Sequence, residues 1–182
     1  MSLSNLLIWF YCLDYHELYL LTVLGTLFYA LLLPRFVPAG KFRQFSAALA
    51  GCCLILIVGA TLVARDPVTS EPSWIPFHSY FEAVRTGNVE IYRSNLMNTL
   101  LFYPFGLFLG SAFPADRKKL LPGLLFAWVL SLEIELCQFW FQLGNPEIDD
   151  VLHNTLGMLL GLAVPCCMKK ICSGRVCNGP NR

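Results

Sequence analysis

The sequence predicts an all-α, polytopic transmembrane helical bundle of about five spans, and three observations carry that prediction. Of 182 residues, 56% are apolar and only 14% are charged, against roughly 45–50% and about 25% in an ordinary soluble domain. That leaves too little polar surface to cover a water-soluble globule and too much apolar surface for disorder. The apolar residues fall in continuous runs close to the roughly 20 residues that a bilayer crossing requires, without the period-two alternation of a membrane barrel. The charged minority is sorted along the chain. Together these disfavour a disordered chain, a nucleic-acid-binding domain and a conventional soluble enzyme.

The elements follow in order. Met1 to Leu13 is apolar and aromatic (Trp9, Phe10, Tyr11) and is separated from the first run by Asp14, His16 and Glu17. It lacks the basic start and small-residue cleavage site of a secretory signal peptide. Residues 1–17 are therefore read as an N-terminal interfacial segment. The expected spans are Leu18–Phe36, Phe45–Ala64, Asn98–Phe113, Leu120–Leu143 and Val151–Met168, within a membrane domain of residues 18–168. Five such spans fill roughly half the chain. Residues 169–182 form a basic, polar tail expected to be mobile.

Ten of the thirteen basic residues lie on one side of this arrangement: Arg35, Lys41, Arg43, Arg117, Lys118, Lys119, Lys169, Lys170, Arg175 and Arg182, with Asp116 the one acid there. The opposite side holds Arg65, Arg85 and Arg93 among nine acids, including Glu82, Glu90, Glu147, Asp149 and Asp150. The Lys and Arg bias makes the basic side cytoplasmic, so the N-terminus is outside and the C-terminus inside. The net charge of +1 hides this asymmetry.

Of eight cysteines, Cys52, Cys53 and Cys137 lie inside spans, where a thiol packs as a small hydrophobe. Cys166, Cys167, Cys172 and Cys177 cluster at the cytoplasmic end, without a CxxC pair or histidine, so reduced thiols are favoured over a zinc site. The longest outer loop lies between spans two and three. In it Phe77, Tyr80, Phe81, Val84 and Ile91 recur at helical spacing after Trp74 and Pro76, which predicts a helix in the outer interface.

The candidate functional residues are polar ones at membrane depth, costly there unless paired or used. Ser131, Glu135 and Gln138 share one face of span four, whereas Glu133 points nearly opposite. Glu135 could donate a hydrogen bond, carry a proton or meet a cationic ligand, or it could be helix-to-helix glue. Asp149 and Asp150 open span five, and Asp150, Asn154, Gly157 and Gly161 share a face. The acids could cap the helix or, with Glu147, hold a divalent cation, but three acids without further spacing are weak grounds and no metal or cofactor is expected. Gly157 and Gly161 form a small-residue surface that could pair two copies. Asn98 opens span three, where it would meet Asn154 or Asp150 if the spans pack together.

At these residues a family resemblance emerges. Asn98-Thr-Leu-Leu-Phe102-Tyr-Pro104-Phe-Gly106 resembles the N-x-x-x-F-x-P-x-G element of VanZ-like membrane proteins. Ser131-(x3)-Glu135-x-x-Gln138 is similar to their fourth-helix pattern, and Asp149-Asp150-(x3)-Asn154-Thr-Leu-Gly157-(x3)-Gly161 to their D-D-x-x-x-N-T-x-G-x-x-x-G element. Trp74-Ile-Pro76-Phe77 resembles the N-L-I-P-F that precedes them. The set covers Trp74 to Gly161 in the family's order. One departure stands out: members usually carry an arginine shortly before the acidic pair, where this chain has Gly144 and Asn145.

The resemblance implies an envelope membrane protein linked to low-level glycopeptide resistance, teicoplanin in particular. Three readings stay open. The first is non-enzymatic interaction at the outer leaflet with membrane lipids, a lipid-linked peptidoglycan precursor or a lipoglycopeptide. The second is an intramembrane enzyme acting on a polyprenyl or phospholipid headgroup, with Glu135 or Asp150 as acid–base group; no nucleophile–base set accompanies them, and His153 and His78 are poorly placed. The third is a small transporter through Glu135 and Gln138, disfavoured by the lack of an internal repeat.

Overall fold

A computed structural model describes residues 15–63, 65, 67, 71–113 and 120–177. The N-terminal segment Met1–Leu13 and the basic trio Arg117, Lys118 and Lys119 lie outside them. The chain divides into two compact units, Met1–Pro38 and Ala39–Arg182, so the boundary falls inside the expected membrane domain.

The described residues of the first unit form one helical rod: α1 (Tyr15–Leu27), a π-helical turn (Phe28–Leu32) and α2 (Leu33–Phe36). Pro34 explains the turn. Proline has no N–H to offer the carbonyl four residues back, and its ring crowds that carbonyl, which a widened turn relieves. The rod stops where Val37, ahead of Pro38, is extended at φ −112° and ψ 129°, the conformation that a following proline imposes.

The second unit contains α3 (Ala39–Val58), continued by a π-helical turn (Gly59–Val63), then α4 (His78–Thr86), α5 (Val89–Ala112), α6 (Leu120–Phe141) and α7 (Ile148–Cys177). Ala39–Val63, Leu121–Phe141 and Ile148–Met168 are long and apolar enough to cross a membrane, and Leu20–Phe36 is a shorter apolar helix. The architecture is all-helical among the described residues, with two isolated β-bridges, Pro67 to Leu143 and Ser73 to Glu147. The core gathers Ala50 and Ile57 from α3, Phe102 and Phe105 from α5, Ala127 and Ile134 from α6, and Met158 and Leu162 from α7.

Several boundaries differ from expectation. Lys41 and Arg43 stand in the first turns of α3, because the break is confined to Val37–Pro38. The third apolar run is the C-terminal part of a longer helix that starts at Val89, where Asn88 caps it by accepting from the Glu90 amide at 3.0 Å. An Asn cap of this kind contributes about 1 kcal/mol. The helix expected in the outer interface ends at Thr86 on Gly87 at φ 67°, so Ile91 belongs to α5. The segment expected as a mobile tail continues α7 as helix through Cys177.

α5 is the centre of this unit. It packs most extensively on α7, then α3, and also meets α4. The α5–α7 contact is backbone on backbone: a Cβ at Gly106 would lie 2.3 Å from the Met158 carbonyl oxygen, and one at Gly161 2.2 Å from that of Tyr103. This corrects one expectation. The Gly157/Gly161 surface, expected to face a second copy, is buried against α5 of the same chain.

Candidate functional site

Close approach of α5 and α7 carries their polar residues into one layer, at the end of the unit where α4 and the 142–147 loop lie. Asp149, Asp150, His153 and Asn154 come from the first two turns of α7, and Asn95 and Asn98 from α5. Ser131, Glu135 and Gln138 come from α6. All nine are buried, while Glu133 is exposed on the other side of α6, as helical spacing requires.

Asp149 organises the outer edge. Its carboxylate accepts from the Phe77 amide, from the Ser79 amide at 2.9 Å and from the Ser79 hydroxyl at 2.6 Å. It therefore caps α4, the neighbouring helix, instead of its own. Phe77 has a left-handed φ of 63° and no side-chain cap of its own, so the acid supplies from outside what the local sequence lacks. Asn95 extends the network by donating to the Ser79 hydroxyl at 3.1 Å, and Tyr80 and His153 Nε2 are hydrogen-bonded at 2.7 Å. Asp149 thus holds α4 in place and is a structural anchor within the candidate set.

Two other contacts join α6 to its neighbours. Asn154 donates to the Ser131 hydroxyl at 2.8 Å. Gln138 donates to the Thr61 carbonyl at 2.9 Å, an acceptor in the π turn that ends α3. Gln138 is accordingly spent on α3. Glu135 accepts from the Glu147 backbone amide at 3.0 Å and so fixes the loop that leads into α7.

Asp150 behaves differently. Asn98 lies close enough to act on its carboxyl as a long donor, yet Asn98 Nδ2 reaches no acceptor at full hydrogen-bonding geometry. Asp150 also feels the charges of Glu135, Glu147 and Arg65. Arg65 was not among the residues expected here. It follows the π turn and packs on Gly144: a Cβ there would lie 3.1 Å from Arg65 Nη1 and 3.4 Å from Cδ, at a φ of +72° that itself favours glycine. Arg65 thus places a cation beside the stretch that precedes the acidic pair. The Pro67–Leu143 bridge holds the two segments side by side.

Glu147 sits at the rim, outside the spanning helices. Burial pushes its carboxyl above the usual range, the charges of Asp149 and Glu82 add to that, and His78 and Arg65 oppose it. The rim continues into Trp74, tied to the loop by Ser73 amide and carbonyl bonds to Pro146 and Ile148, both at 3.0 Å, and stacked edge-on with Phe139 at 6.1 Å.

The resulting class is a helical membrane protein with an enclosed polar layer at one end of its bundle. A family model described as VanZ/LLP1 matches residues 18–169, and the chain belongs to that family. It is also 43% identical over 77 residues to "Protein VanZ" of Enterococcus faecium, an alignment covering 42% of this chain and 45% of the relative. The chain thus spans less than half the length of that relative. No solved structure matches.

Proposed function

We propose that this protein is a VanZ-like component of the bacterial cell envelope that lowers glycopeptide action without catalysing a reaction. It would do so by contacting a lipid-linked cell-wall precursor, or the antibiotic itself, at the outer leaflet. The observation that carries the reading is the convergence of Asn98, Ser131, Glu135, Asp150 and Asn154, drawn from three helices, on one buried polar layer. That layer lies beside an amphipathic helix whose Phe81 and Val84 are exposed. In this reading five spans place the N-terminus outside and the C-terminus in the cytoplasm, with α4 in the outer interface.

The test is teicoplanin tolerance in a strain expressing Asp150→Ala or Asn154→Ala at wild-type membrane level. Loss of tolerance is expected, and unchanged tolerance removes these residues from the mechanism. Topology is tested separately by reporter fusions after Lys119 and after Asn145. The first should report cytoplasm and the second should not.

A further inference from the structure

Arg65 is held near three carboxylates and paired with none. Glu135, Glu147 and Asp150 each feel its charge, but none lies within the 4.0 Å of an ion pair, and the described ion pairs are His78–Glu82 and Arg93–Glu90. Its place is fixed by the chain: Gly144 keeps the space for the guanidinium and the Pro67–Leu143 bridge fixes the approach. A guanidinium has five donors in a planar fork suited to phosphate or carboxylate.

Two buried polar atoms around Asp150 supply a second observation. Asn98 is 8% exposed and lies against Asp150, and its Nδ2 has no hydrogen-bond partner. One turn along α7 from Asp150, Asn154 is 2% exposed and its Oδ1 is likewise unpartnered. Buried polar atoms left in this state cost about 1–3 kcal/mol each. The layer therefore offers anion-seeking donors (Arg65, Asn98 Nδ2) beside cation-seeking acceptors (Asp150, Glu147, Asn154 Oδ1). No three acids converge closely enough to hold a metal ion among the described residues. At the rim Arg65 and Glu147 are half-buried, and the Trp74–Phe139 pair supplies an apolar edge.

We infer that this layer binds a lipid headgroup in which a protonated primary amine stands next to an anionic phosphate. The phosphate oxygens take donors from Arg65 and Asn98, and the ammonium donates to Asp150 and Glu147. Acyl chains lie along Trp74 and Phe139 toward the bilayer. This rests on the outer-leaflet reading above and names the chemistry recognised there.

The test uses the full chain in maltoside micelles, titrated with dihexanoyl lipids and followed by saturation-transfer NMR on the headgroup protons. Phosphatidylethanolamine should bind saturably. Lysyl-phosphatidylglycerol, which carries its amine farther from the phosphate, should bind more weakly, and binding as tight as phosphatidylethanolamine overturns the amine–phosphate spacing. Phosphatidylcholine, which lacks N–H donors, and phosphatidylglycerol, which lacks an amine, should bind about tenfold more weakly. Arg65→Gln and Asp150→Asn should each reduce phosphatidylethanolamine binding about tenfold, while the surface change Glu90→Gln leaves it unaltered.

Equal binding of phosphatidylglycerol or phosphatidylcholine overturns the amine. Absence of saturable binding to folded wild-type protein overturns the site. Unchanged binding by a folded Arg65→Gln protein overturns the phosphate contact. Because these comparisons are made on purified protein, they are separate from teicoplanin tolerance. Headgroup binding without a tolerance effect would sink the functional reading and leave the site standing.

Discussion

Replacing Gly157 with alanine tests whether α5 and α7 meet through their backbones. A Cβ at position 157 would stand 2.1 Å from the Thr99 carbonyl oxygen, 2.9 Å from its carbon and 3.1 Å from its Cα. Ordinary contact begins near 3.4 Å, so the helices must separate by roughly 1.3 Å or shear past each other. Neither partner is a flexible side chain that could swing aside. Overpacking of this kind costs about 1–3 kcal/mol and occasionally more. A gap of that size also forfeits a quarter or more of the dispersion energy along the seam. Alanine's better helix propensity returns at most about 1 kcal/mol, leaving a net loss of roughly 2 kcal/mol. The assay is unfolding in mixed micelles, with Gly51→Ala as control, because a Cβ at Gly51 meets nothing within 4 Å. Gly51→Ala should be at least as stable as wild type, by up to about 1 kcal/mol from the same helix propensity. If the two variants unfold alike, the helices do not touch as described.

Other changes probe the polar layer and its supports. Asp149→Ala removes the acceptor for the Phe77 and Ser79 amides and the Ser79 hydroxyl. It should cost about 2–4 kcal/mol and speed hydrogen exchange over 77–86, and unchanged protection there would refute the anchoring role. Glu147 has a carboxyl raised in the folded state, so its contribution is fully present when it is protonated and is lost as pH rises through the folded value. Glu147→Gln should therefore be more stable than wild type at pH 8, with the difference vanishing in acid. A constant difference across that range would contradict the burial argument. Asn88→Ala should lower stability by about 1 kcal/mol, and no change would mean that the Glu90 amide finds another acceptor.

The sequence reveals the apolar helices more readily than their ends. Continuous runs locate α3, α6 and α7 because each faces an apolar environment over much of its surface. The start of α5 is harder to see, since the turns before Asn98 carry Glu90, Arg93 and Asn95, and only the Asn88 cap signals them. The facing of Glu135 and Glu133 follows from helical period alone. So does the shared face of Asp150 and Asn154, because intrahelical geometry is local. The partner of each residue is not local. Asp149 caps a helix about seventy positions away, and Gln138 serves the Thr61 carbonyl. Arg65 packs on Gly144 where Pro67 bridges Leu143. Glycine at 144 could have hinted at this, since a left-handed φ marks a place where a neighbour comes close, but nothing in the sequence says which neighbour.

The α5–α7 seam also bears on how the chain is made. Synthesis proceeds from the N-terminus, so α5 is complete at Ala112 before Ile148 opens α7. The intervening stretch takes on the order of 2–7 s at about 5–20 residues per second. During that interval the backbone surface of α5 at Thr99, Tyr103 and Gly106 lacks Gly157, Gly161 and Met158, against which it packs in the finished fold. That face of α5 stays uncovered until α7 emerges. A ribosome that stalls before Ile148 would then leave α5 recognisable to quality control as an orphan.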